Sequence, residues 1–522
     1  MIKLKINNTA IEVESGMSIL EAAKGLGLDI PTMCYLKGYS NHPSCMVCMV
    51  KDVKTGKLYP SCAYPVQEGM EIVTDDEEVI EARKDALELL LSDHVGECEA
   101  RCRVACPAYM DIPKMNRLIA AGDFHEAHKV VKEEIALPLV LGYVCEAPCQ
   151  NACRRNSVDE TVSICQLKKY VAVEDAKDSG YYLPEKEESK GKSVAIIGSG
   201  PTGLAAAFHL TQSGFDCTVI DRNSKPGGSL ASEVESKALP ADVLEEEIKI
   251  LKAFGVTIKL DYNINNSDFR QLTQDYDFVL IATGVFDEET NEDFGLELNK
   301  LKNGFQVLDG IRSMNESNVY IAGSAVRKVR MAVQAVAEGK AAAFYIRSVL
   351  EGVNDTKVHR KFNSKFGKLK GEEISEYLKE SNSDKRVIPQ DELAGFDKES
   401  VMKEAARCLR CDCRKSDGCK LRLYADEYGA RQNLYKIEDR PLVTKSYRHD
   451  KIVYEPEKCI RCSLCVDIAE KEKESLGLTH IGRGFDVRIG IPFNESLEKS
   501  LTKTAIKCAL HCPTAAISLK KE

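Results

Sequence analysis

The sequence predicts a multidomain chain that combines α+β domains with one α/β domain. Its 522 residues are too many for a single hydrophobic core, since such cores usually stop growing near about 250–300 residues. Its 21 cysteines fall mainly into short, separate groups along the chain. A buried strand, a glycine-rich turn and a helix start follow one another at residues 193–210. We therefore expect at least three domains.

Composition excludes several classes of partner. The formal net charge is −9, and the basic residues are scattered, so no extended positive surface for nucleic acid is expected. The first residues alternate like a strand, without the layout of a signal peptide, and no apolar run approaches the roughly 18 residues of a membrane span. We expect a cytoplasmic protein with no membrane partner, in which clustered cysteines bind metal rather than form disulfides.

The first cysteine group follows a predicted β-hairpin over residues 2–14 and a helix that starts at Ser18, with Glu21 completing a capping box. Spacings of ten, two and thirteen residues separate its members, which are Cys34, Cys45, Cys48 and Cys62. Four thiolates suffice for one [2Fe–2S] cluster, and zinc is the alternative. The spacing resembles the N-terminal domain of the large iron–sulfur subunit of respiratory complex I and of iron-only hydrogenases. This resemblance implies a β-grasp [2Fe–2S] domain over residues 1–80.

The second group consists of two triplets with four-residue steps, separated by a predicted helical segment over residues 112–131. The triplets are Cys98, Cys102 and Cys106, then Cys145, Cys149 and Cys153. Residues 93–175 resemble the N-terminal iron–sulfur domain of the small subunit of NADPH-dependent glutamate synthase and of dihydropyrimidine dehydrogenase. The resemblance implies a helical domain over residues 81–185 that binds two [4Fe–4S] clusters through interleaved cysteines.

The same resemblance implies the ligand sets of these two clusters. One set is Cys106, Cys145 and Cys149, with Cys165 or Gln166 as the fourth ligand. The other set is Cys98, Cys102 and Cys153. The chain lacks the family's Cys-x-x-Cys just upstream, so the fourth ligand of this set is open. His94 is a candidate for it, the alternative being an ordinary polar histidine.

A dinucleotide site is predicted where the strand–turn–helix sequence is followed about twenty residues later by a second strand ending in Asp221. This pattern places a pyrophosphate on a helix N-terminus and a ribose on the Asp221 carboxylate. Cys217, inside the second strand, is expected to be a core residue.

The segments "KPGGSL", "FVLIATG" and "VYIAGSAVRKVRMAVQAVAEGKAAA" occur in the order found in the glutamate synthase small-subunit flavoproteins. That resemblance implies FAD in a Rossmann-like domain over residues 190–352. Ser324 stands where the family commonly has an aspartate. The alternative is therefore that the chain binds flavin weakly or has lost it. The implied cofactor-binding residues are Gly198, Gly200, Pro201, Gly203, Asp221, Arg222, Gly227 and Gly228, with Thr283, Gly284, Gly323 and Ser324 near the flavin.

The nicotinamide domain of that family is missing here. In those flavoproteins it is inserted after the "ATG" strand, whereas only a few dozen residues separate Gly284 from the strand at residue 318. A single βαβ unit already takes roughly 30 residues, so no domain fits. We expect the flavin to receive its electrons through clusters or from another subunit.

The next segment, residues 353–445, is predicted to be a charged linker that ends in a cysteine-rich stretch. The alternative for its first part is an arm that wraps around a partner. The stretch contains Cys408, Cys411, Cys413 and Cys419. These cysteines are expected to bind a [4Fe–4S] cluster, with two alternatives. In the first alternative the four cysteines bind zinc. In the second, one of them completes the cluster of Cys98.

The tail, residues 446–522, has Cys459, Cys462 and Cys465 at ferredoxin spacing, and Ala469 where a fourth cysteine of this run is expected. It resembles the ferredoxin-like, single-cluster [4Fe–4S] domain of the complex I large subunit. On that resemblance Cys512 is the fourth ligand, and Cys508 is a spare or an alternative.

Together these features predict an electron-transfer subunit of an oxidoreductase complex, with one [2Fe–2S] cluster, three to four [4Fe–4S] clusters and FAD. No catalytic triad or acid/base pair stands out, so the substrate site is expected on partner subunits. Composite chains of this kind resemble subunits of electron-bifurcating hydrogenases, transhydrogenases and formate dehydrogenases of anaerobic metabolism. The expected partners are an NADH/FMN-type flavin subunit and a small [2Fe–2S] subunit of the complex I type, with hydrogenase, formate dehydrogenase or ferredoxin beyond them. The alternatives are a self-contained NAD(P)H oxidoreductase and a scaffold with an empty flavin site.

Overall fold

The structure is a computed structural model of the chain. It describes residues 1–177, 181–232, 238–285, 317–353, 361–435, 440–444 and 447–520, and between 286 and 316 only residues 294, 300–301, 304–305, 307–308 and 310–312. The described residues contain no helix long and apolar enough to cross a bilayer.

The strands are numbered in chain order. They are β1 Ile2–Ile6, β2 Thr9–Val13, β3 Met49–Asp52, β4 Lys57–Pro60, β5 Glu71–Val73, β6 Ser193–Ile197, β7 Asp216–Ile220, β8 Thr257–Lys259, β9 Phe278–Ile281, β10 Lys300–Leu301, β11 Gly304–Phe305, β12 Val319–Ile321, β13 Tyr447–Arg448, β14 Ile452–Tyr454, β15 Thr479–Ile481, β16 Arg488–Gly490 and β17 Ile517–Leu519.

The α-helices are numbered in the same way. They are α1 Ile19–Gly25, α2 Glu77–Asp93, α3 Arg101–Ala105, α4 Ile112–Ala121, α5 Phe124–Glu134, α6 Pro138–Val144, α7 Pro148–Asn151, α8 Ile164–Lys177, α9 Pro201–Gln212, α10 Ser229–Ser232, α11 Ala241–Ala253, α12 Asn266–Asp275, α13 Ala332–Leu350, α14 Gly371–Leu378, α15 Lys398–Ala405, α16 Lys420–Glu427, α17 Leu464–Lys471, α18 Leu497–Ser500 and α19 Ala505–His511.

The chain divides into two compact units, each built from separate stretches of sequence. The first unit comprises Met1–Ala100, Lys361–Glu380 and Arg410–Glu522. The second unit comprises Arg101–Arg360 and Ser381–Leu409.

The N-terminal part of the first unit is a five-stranded mixed sheet in the order β2-β1-β5-β3-β4. The predicted hairpin is confirmed, since β1 pairs antiparallel with β2 from Ile2–Val13 to Ile6–Thr9. The predicted capping box is also confirmed, because the Glu21 backbone N–H donates to Ser18 Oγ and the Ser18 N–H donates to the Glu21 carboxylate. Apolar residues of the sheet and α1 form one buried core.

The C-terminal part of the first unit is a three-stranded antiparallel sheet, β13-β14-β17, with the hairpin β15–β16 beside it. Helices α17 and α19 pack against each other and share a core with β14 and β17. The residues between α17 and α19 contain the hairpin β15–β16 and helix α18, so this part is a small α+β fold.

Residues 361–435 differ from the predicted solvated linker. They contain α14, α15 and α16, and charged side chains within them are buried: Glu373 is 1 % exposed, and Glu404 and Arg407 are fully buried. In the first unit, Arg440 donates two hydrogen bonds to Glu373. A segment rich in charged residues usually indicates solvent exposure. Here the charges are buried with partners, which the local sequence pattern does not reveal.

The second unit contains a five-stranded parallel sheet in the order β12-β9-β6-β7-β8, which is the arrangement of a Rossmann-like fold. Helices α9 and α13 pack closely together on it. Gly339 permits this approach, because a Cβ atom there lies 2.1 Å from the Thr202 carbonyl oxygen. Cys217 is 4 % exposed and belongs to the sheet core, as predicted.

The rest of the second unit is helical, from α3 to α8 with α15 packed on α4 and α8. The predicted helical segment over residues 112–131 is confirmed, but it forms two helices because Gly122 adopts a left-handed C-cap with φ 83°. A buried ion pair joins these helices to α11: Lys132 Nζ lies 3.3 Å from Glu247 Oε1. Removing one partner of such a pair leaves an unpaired buried charge, which is strongly destabilising.

A second charged cluster fixes residues 381–409 within this unit. Asp159 accepts hydrogen bonds from Arg155 Nε at 2.7 Å and Nη2 at 2.8 Å, and from Arg407 Nη2 at 3.1 Å. Both arginine side chains are at most 1 % exposed. The hydrogen bonds from Arg155 are the main reason that the pKa of Asp159 is lowered to about 2.

Replacing Asp159 by asparagine is expected to lower the free energy of unfolding at pH 7 by about 1 kcal/mol, a figure reduced because the side chain is 35 % exposed. The carboxylate has a lower pKa in the folded chain than unfolded, so its stabilisation is present above about pH 4 and is lost toward pH 2. Urea unfolding of D159N and its parent checks this, with E160Q as the exposed control. Equal stability at pH 7, or a difference that grows as the pH falls, contradicts it.

Candidate cofactor sites

The first group of cysteines comes together in the N-terminal part of the first unit. Cys34 and Cys45 Sγ atoms lie 3.4 Å apart, and thiol hydrogen bonds also link Cys62 to Cys34 and to Cys48. All four side chains are buried. Hydrogen bonds from Cys45 and Cys62 lower the pKa of the Cys34 thiol, while the same Cys34–Cys45 contact and burial raise that of Cys45. Four sulfur atoms in one buried patch fit the ligand set of a [2Fe–2S] cluster.

A second group surrounds a small cavity in the C-terminal part of the first unit. The cysteines that line it are Cys459, Cys462, Cys465 and Cys512. Backbone N–H groups point at the sulfur atoms, since Arg461 N lies 3.4 Å from Cys459 Sγ and Ile517 N lies 3.4 Å from Cys512 Sγ. The chemistry of the donor set, four sulfurs with N–H donors around one cavity, fits a [4Fe–4S] cluster.

Cys508 lies outside this cavity lining. Its thiol approaches the Cys465 carbonyl oxygen at 3.8 Å. The geometry therefore favours Cys512 over Cys508 as the fourth ligand. Burial, and then the nearby Cys512 thiolate, raise the pKa of Cys459 to about 12. Ionised sulfur in this cavity is thus unfavourable until a positive charge enters it.

A third group surrounds a small cavity in the helical part of the second unit. Its cysteines are Cys106 after α3, Cys145 after α6, Cys149 on α7 and Cys165 on α8. Cys165 lines the cavity and Gln166 does not, so the geometry favours Cys165 of the two predicted alternatives. Burial, and then the Cys106 thiolate, raise the pKa of Cys149 to about 12. The donor set again fits a [4Fe–4S] cluster.

In the structure, Cys98 lies beside Ser364 and Cys413, which are not part of its predicted set of Cys98, Cys102 and Cys153. The Cys413 backbone N–H donates to the Cys98 carbonyl oxygen at 3.1 Å, and the Ser364 N–H lies 3.5 Å from Cys98 Sγ. Burial raises the pKa of Cys419 to about 12, with further contributions from the thiolates of Cys413 and Cys98. These contacts favour the alternative in which the cysteine-rich segment completes the cluster of Cys98.

His94 lies near this group in the first unit. Its side chain is half-buried, and the buried Nδ1 atom has no hydrogen-bond partner among the described residues. Burial, and then the charge of Lys458, lower the pKa of His94 to about 4, so the ring is neutral near pH 7. Lys458 Nζ in turn lies 3.9 Å from Cys413 Sγ and 2.7 Å from Glu455 Oε2. His94 as a ligand stays a prediction.

The remaining predicted ligands are divided between the units. Cys102, Cys153 and Cys408 belong to the second unit, and Cys411 belongs to the first. Helices α3 and α7 pack together, which brings the segments of Cys102 and Cys153 near each other. Their assignment to a cluster stays a prediction. Within the described residues, no three or more His, Cys, Asp or Glu side chains converge as ligands of a single metal ion.

The glycine-rich turn lies between β6 and the N-terminus of α9. A Cβ atom at Gly203 lies 2.0 Å from the Gly198 carbonyl oxygen, whereas one at Gly200 meets nothing within 4 Å. Gly200 is the N-cap of α9. Because glycine has no side chain, no N-cap side chain accepts a hydrogen bond from the first N–H groups of the helix. Just after β9, Thr283 Oγ1 is buried and has no hydrogen-bond partner in the part of the chain that the structure describes. An open helix N-terminus and an orphaned hydroxyl fit the phosphates and polar rim of a dinucleotide.

Asp221 does more in the structure than the sequence indicates. One carboxylate oxygen accepts from Ser199 N and Oγ, both at 2.6 Å, and the other accepts from Asn223 N at 2.8 Å and Nδ2 at 2.9 Å. A carboxylate has about four acceptor positions, so all of them are used to hold the turn. Binding of a ribose by Asp221 therefore requires one of these side chains to rotate away.

The other predicted dinucleotide residues flank this turn. Arg222 is exposed, and Gly228 adopts φ 53° and packs against Gly200. Gly323 adopts φ 68°, and a Cβ atom there lies 2.5 Å from Thr202 Oγ1. Ser324 Oγ accepts from the Val329 N–H at 3.2 Å, so this serine is committed to its own loop. Pro201 is the first residue of α9, Gly227 adopts φ 121°, and Gly284 adopts φ 89°.

The sequence predicts that residues 285–317 contain no inserted nicotinamide domain. Most of these residues lie outside the described ones, so this stays a prediction. Among the described residues, one parallel sheet of Rossmann type is present, formed by β12, β9, β6, β7 and β8.

The fold and the cysteine groups define a multidomain chain with cysteine-rich sites and a parallel sheet of the dinucleotide-binding type. Three family models match successive, partly overlapping parts of it. Residues 1–77 match a 2Fe–2S iron–sulfur cluster binding domain, and residues 77–179 match dihydropyrimidine dehydrogenase domain II, 4Fe–4S cluster. Residues 162–339 match the pyridine nucleotide-disulphide oxidoreductase family. The recognition of iron–sulfur and flavoprotein-type domains from sequence is thereby confirmed.

Three curated relatives share part of the chain. The β subunit of NADP(+)-dependent formate dehydrogenase from Moorella thermoacetica is 38% identical over 208 residues, which are 36% of this chain and 29% of that one. The β subunit of NADPH-Fe(3+) oxidoreductase from Geobacter sulfurreducens is 32% identical, over 37% of this chain and 29% of that one. The PreT subunit of NAD-dependent dihydropyrimidine dehydrogenase from Salmonella typhimurium is 34% identical, over 36% and 46%. The matches thus span less than half the length of each relative.

Proposed function

We propose that this chain relays electrons within a multi-subunit oxidoreductase. The observation that carries the proposal is the gathering of twelve cysteines into three groups of four, two of which line cavities. The family models that match residues 1–77 and 77–179 describe 2Fe–2S and 4Fe–4S domains, which supports polynuclear clusters over single zinc ions. Clusters bound there supply one-electron transfer without any bond being made or broken.

The assignment of cofactors follows from the same groups. Cys34, Cys45, Cys48 and Cys62 hold a [2Fe–2S] cluster, and the two cavity groups each hold a [4Fe–4S] cluster. The turn at Gly200 holds the pyrophosphate of FAD, with Thr283 toward the flavin. The β-grasp, helical, Rossmann-like and ferredoxin-like domains keep the boundaries given by the sequence analysis.

Partner subunits supply the donor and acceptor in this proposal. The named relatives are subunits of formate dehydrogenase, NADPH-Fe(3+) oxidoreductase and dihydropyrimidine dehydrogenase, and their names place such chains in assemblies. An NAD(H)-linked FMN subunit with its small [2Fe–2S] partner is the donor or acceptor on one side. A hydrogenase, a formate dehydrogenase or ferredoxin stands on the other side, in the cytoplasm of an anaerobic, electron-bifurcating metabolism.

The proposal is tested on the full chain purified without oxygen. Iron, acid-labile sulfide and flavin are measured, and reduction by dithionite is followed by electron paramagnetic resonance. We expect separate signals from at least one [2Fe–2S] and two [4Fe–4S] clusters. Bound zinc with little iron, and no signal on reduction, contradicts the relay and supports a scaffold.

A further cluster is expected at Cys98, Cys413 and Cys419. If these residues serve one cluster, Cys98→Ser and Cys413→Ser remove the same signal and the same iron, about four atoms per chain. Cys217→Ser is the matched control, because Cys217 is an equally buried cysteine in the sheet core. Loss of different signals from the two variants, or unchanged iron in both, shows that these cysteines do not share a centre.

A further inference from the structure

The two cysteine-lined cavities differ in one charged residue. Each has four cysteines and several apolar residues in its lining. Lys168 is the one charged residue that lines the cavity in the second unit. The lining of the cavity in the first unit contains no charged residue. Both statements concern the described residues that form the two linings.

The fold places Lys168 against the sulfur atoms. It lies on α8 three residues after Cys165, so the two side chains share one face of the helix. Lys168 is 3 % exposed, and its ammonium group interacts with the Cys145 sulfur. Charges on Cys106, Cys149 and Cys165 also act on it. A buried ammonium group is costly unless it is paired, and the sulfur atoms are the partners that the cavity offers.

We propose that Lys168 sets the reduction potential of the centre held by Cys106, Cys145, Cys149 and Cys165, by keeping a positive charge beside it. Adding one electron increases the negative charge of such a centre. A fixed cation in a water-poor cavity stabilises the reduced form more than the oxidised form, because Coulomb interactions are strong where the local dielectric constant is low. The centre in the first unit lacks this stabilisation from its lining.

The inference deepens the proposed function, on which it rests, because it names a residue that makes the helical-domain centre easier to reduce than it is without that charge. Lys168 thereby favours residence of an electron at this centre. It acts on the potential and not on the number of iron atoms bound.

The test is a potentiometric titration of the full chain, followed by electron paramagnetic resonance. Cys149→Ser and Cys462→Ser first identify the signal of each centre by its disappearance. Lys168→Met, which removes the charge and keeps much of the volume, is expected to shift the Cys149-dependent midpoint potential to a more negative value. The Cys462-dependent midpoint stays unchanged and is the internal control. Lys168→Arg, which keeps the charge, is expected to remain close to the parent.

Two results overturn the inference: an unshifted midpoint in Lys168→Met, or an Arg variant that shifts as far as the Met variant. If the Met variant does not assemble the centre, Lys168→Gln is measured beside it. Loss of the signal and its iron from both neutral variants contradicts the inference, because the charge is then needed to assemble the centre and not to set its potential. Absence of any Cys149-dependent signal in the parent chain refutes the proposed function itself, which separates the two failures.

Discussion

Serine in place of Cys462 is expected to remove one complete [4Fe–4S] cluster, about four irons per chain, and its signal in the dithionite-reduced protein. Cys462 lines the cavity together with Cys459, Cys465 and Cys512, and serine oxygen is a poorer ligand for this cluster than thiolate sulfur. Iron analysis and electron paramagnetic resonance measure the loss.

Cys508→Ser is the matched control for this prediction. Cys508 is buried beside the same cavity, 1 % exposed, yet it is not part of the lining. The control is expected to keep its iron and its spectrum. Full iron in Cys462→Ser, or loss of the cluster from Cys508→Ser, contradicts the ligand set.

Alanine in place of Gly203 is expected to disrupt the dinucleotide site and to destabilise its domain by about 1–3 kcal/mol, the range for overpacking of a close-packed region. The added Cβ atom lies 2.0 Å from the Gly198 carbonyl oxygen, so the turn has to move away from α9. Flavin content is expected to fall to a small fraction of the parent value. Flavin released by denaturation and urea unfolding measure the two effects.

Gly200→Ala separates binding from folding. A Cβ atom at Gly200 meets no protein atom within 4 Å, and φ −70° suits alanine, so stability is expected to change by less than about 0.5 kcal/mol. The same methyl group stands where a pyrophosphate approaches the helix, so flavin binding is expected to weaken at least tenfold. Gly25→Ala is the control for a glycine-to-alanine change away from the site, because a Cβ atom at this position of α1 meets nothing within 4 Å. Parent-level flavin in both Gly200→Ala and Gly203→Ala rules out this turn as the site.

Local features of the fold were predictable from sequence. The hairpin of β1 and β2, the Ser18–Glu21 capping box and the turn before α9 each depend on residues within about twenty positions of one another. Short-range periodicity, capping and glycine placement carry that information directly. Three cysteines of the tail, Cys459, Cys462 and Cys465, also lie close together in sequence, and the structure brings them to one cavity with Cys512.

Long-range features were not predictable. Cys98 and Cys413 are neighbours in space but lie in different parts of the sequence, and no spacing rule joins them. Glu373 lies in the segment predicted to be a solvated linker, yet it is 1 % exposed and accepts hydrogen bonds from Arg440, far along the sequence. Lys168 reads as an ordinary helix lysine until the cavity it lines is known. Packing, which periodicity does not encode, decided each of these cases.

The central claim is that the chain relays electrons but does not itself accept hydride from a nicotinamide. The measurement that tests it most directly is an anaerobic titration of the isolated full chain with NADH, then NADPH, then dithionite, followed by the visible spectrum. The relay predicts bleaching by dithionite and no change with either nucleotide. Prompt bleaching by NADH or NADPH contradicts it and identifies a self-contained NAD(P)H oxidoreductase.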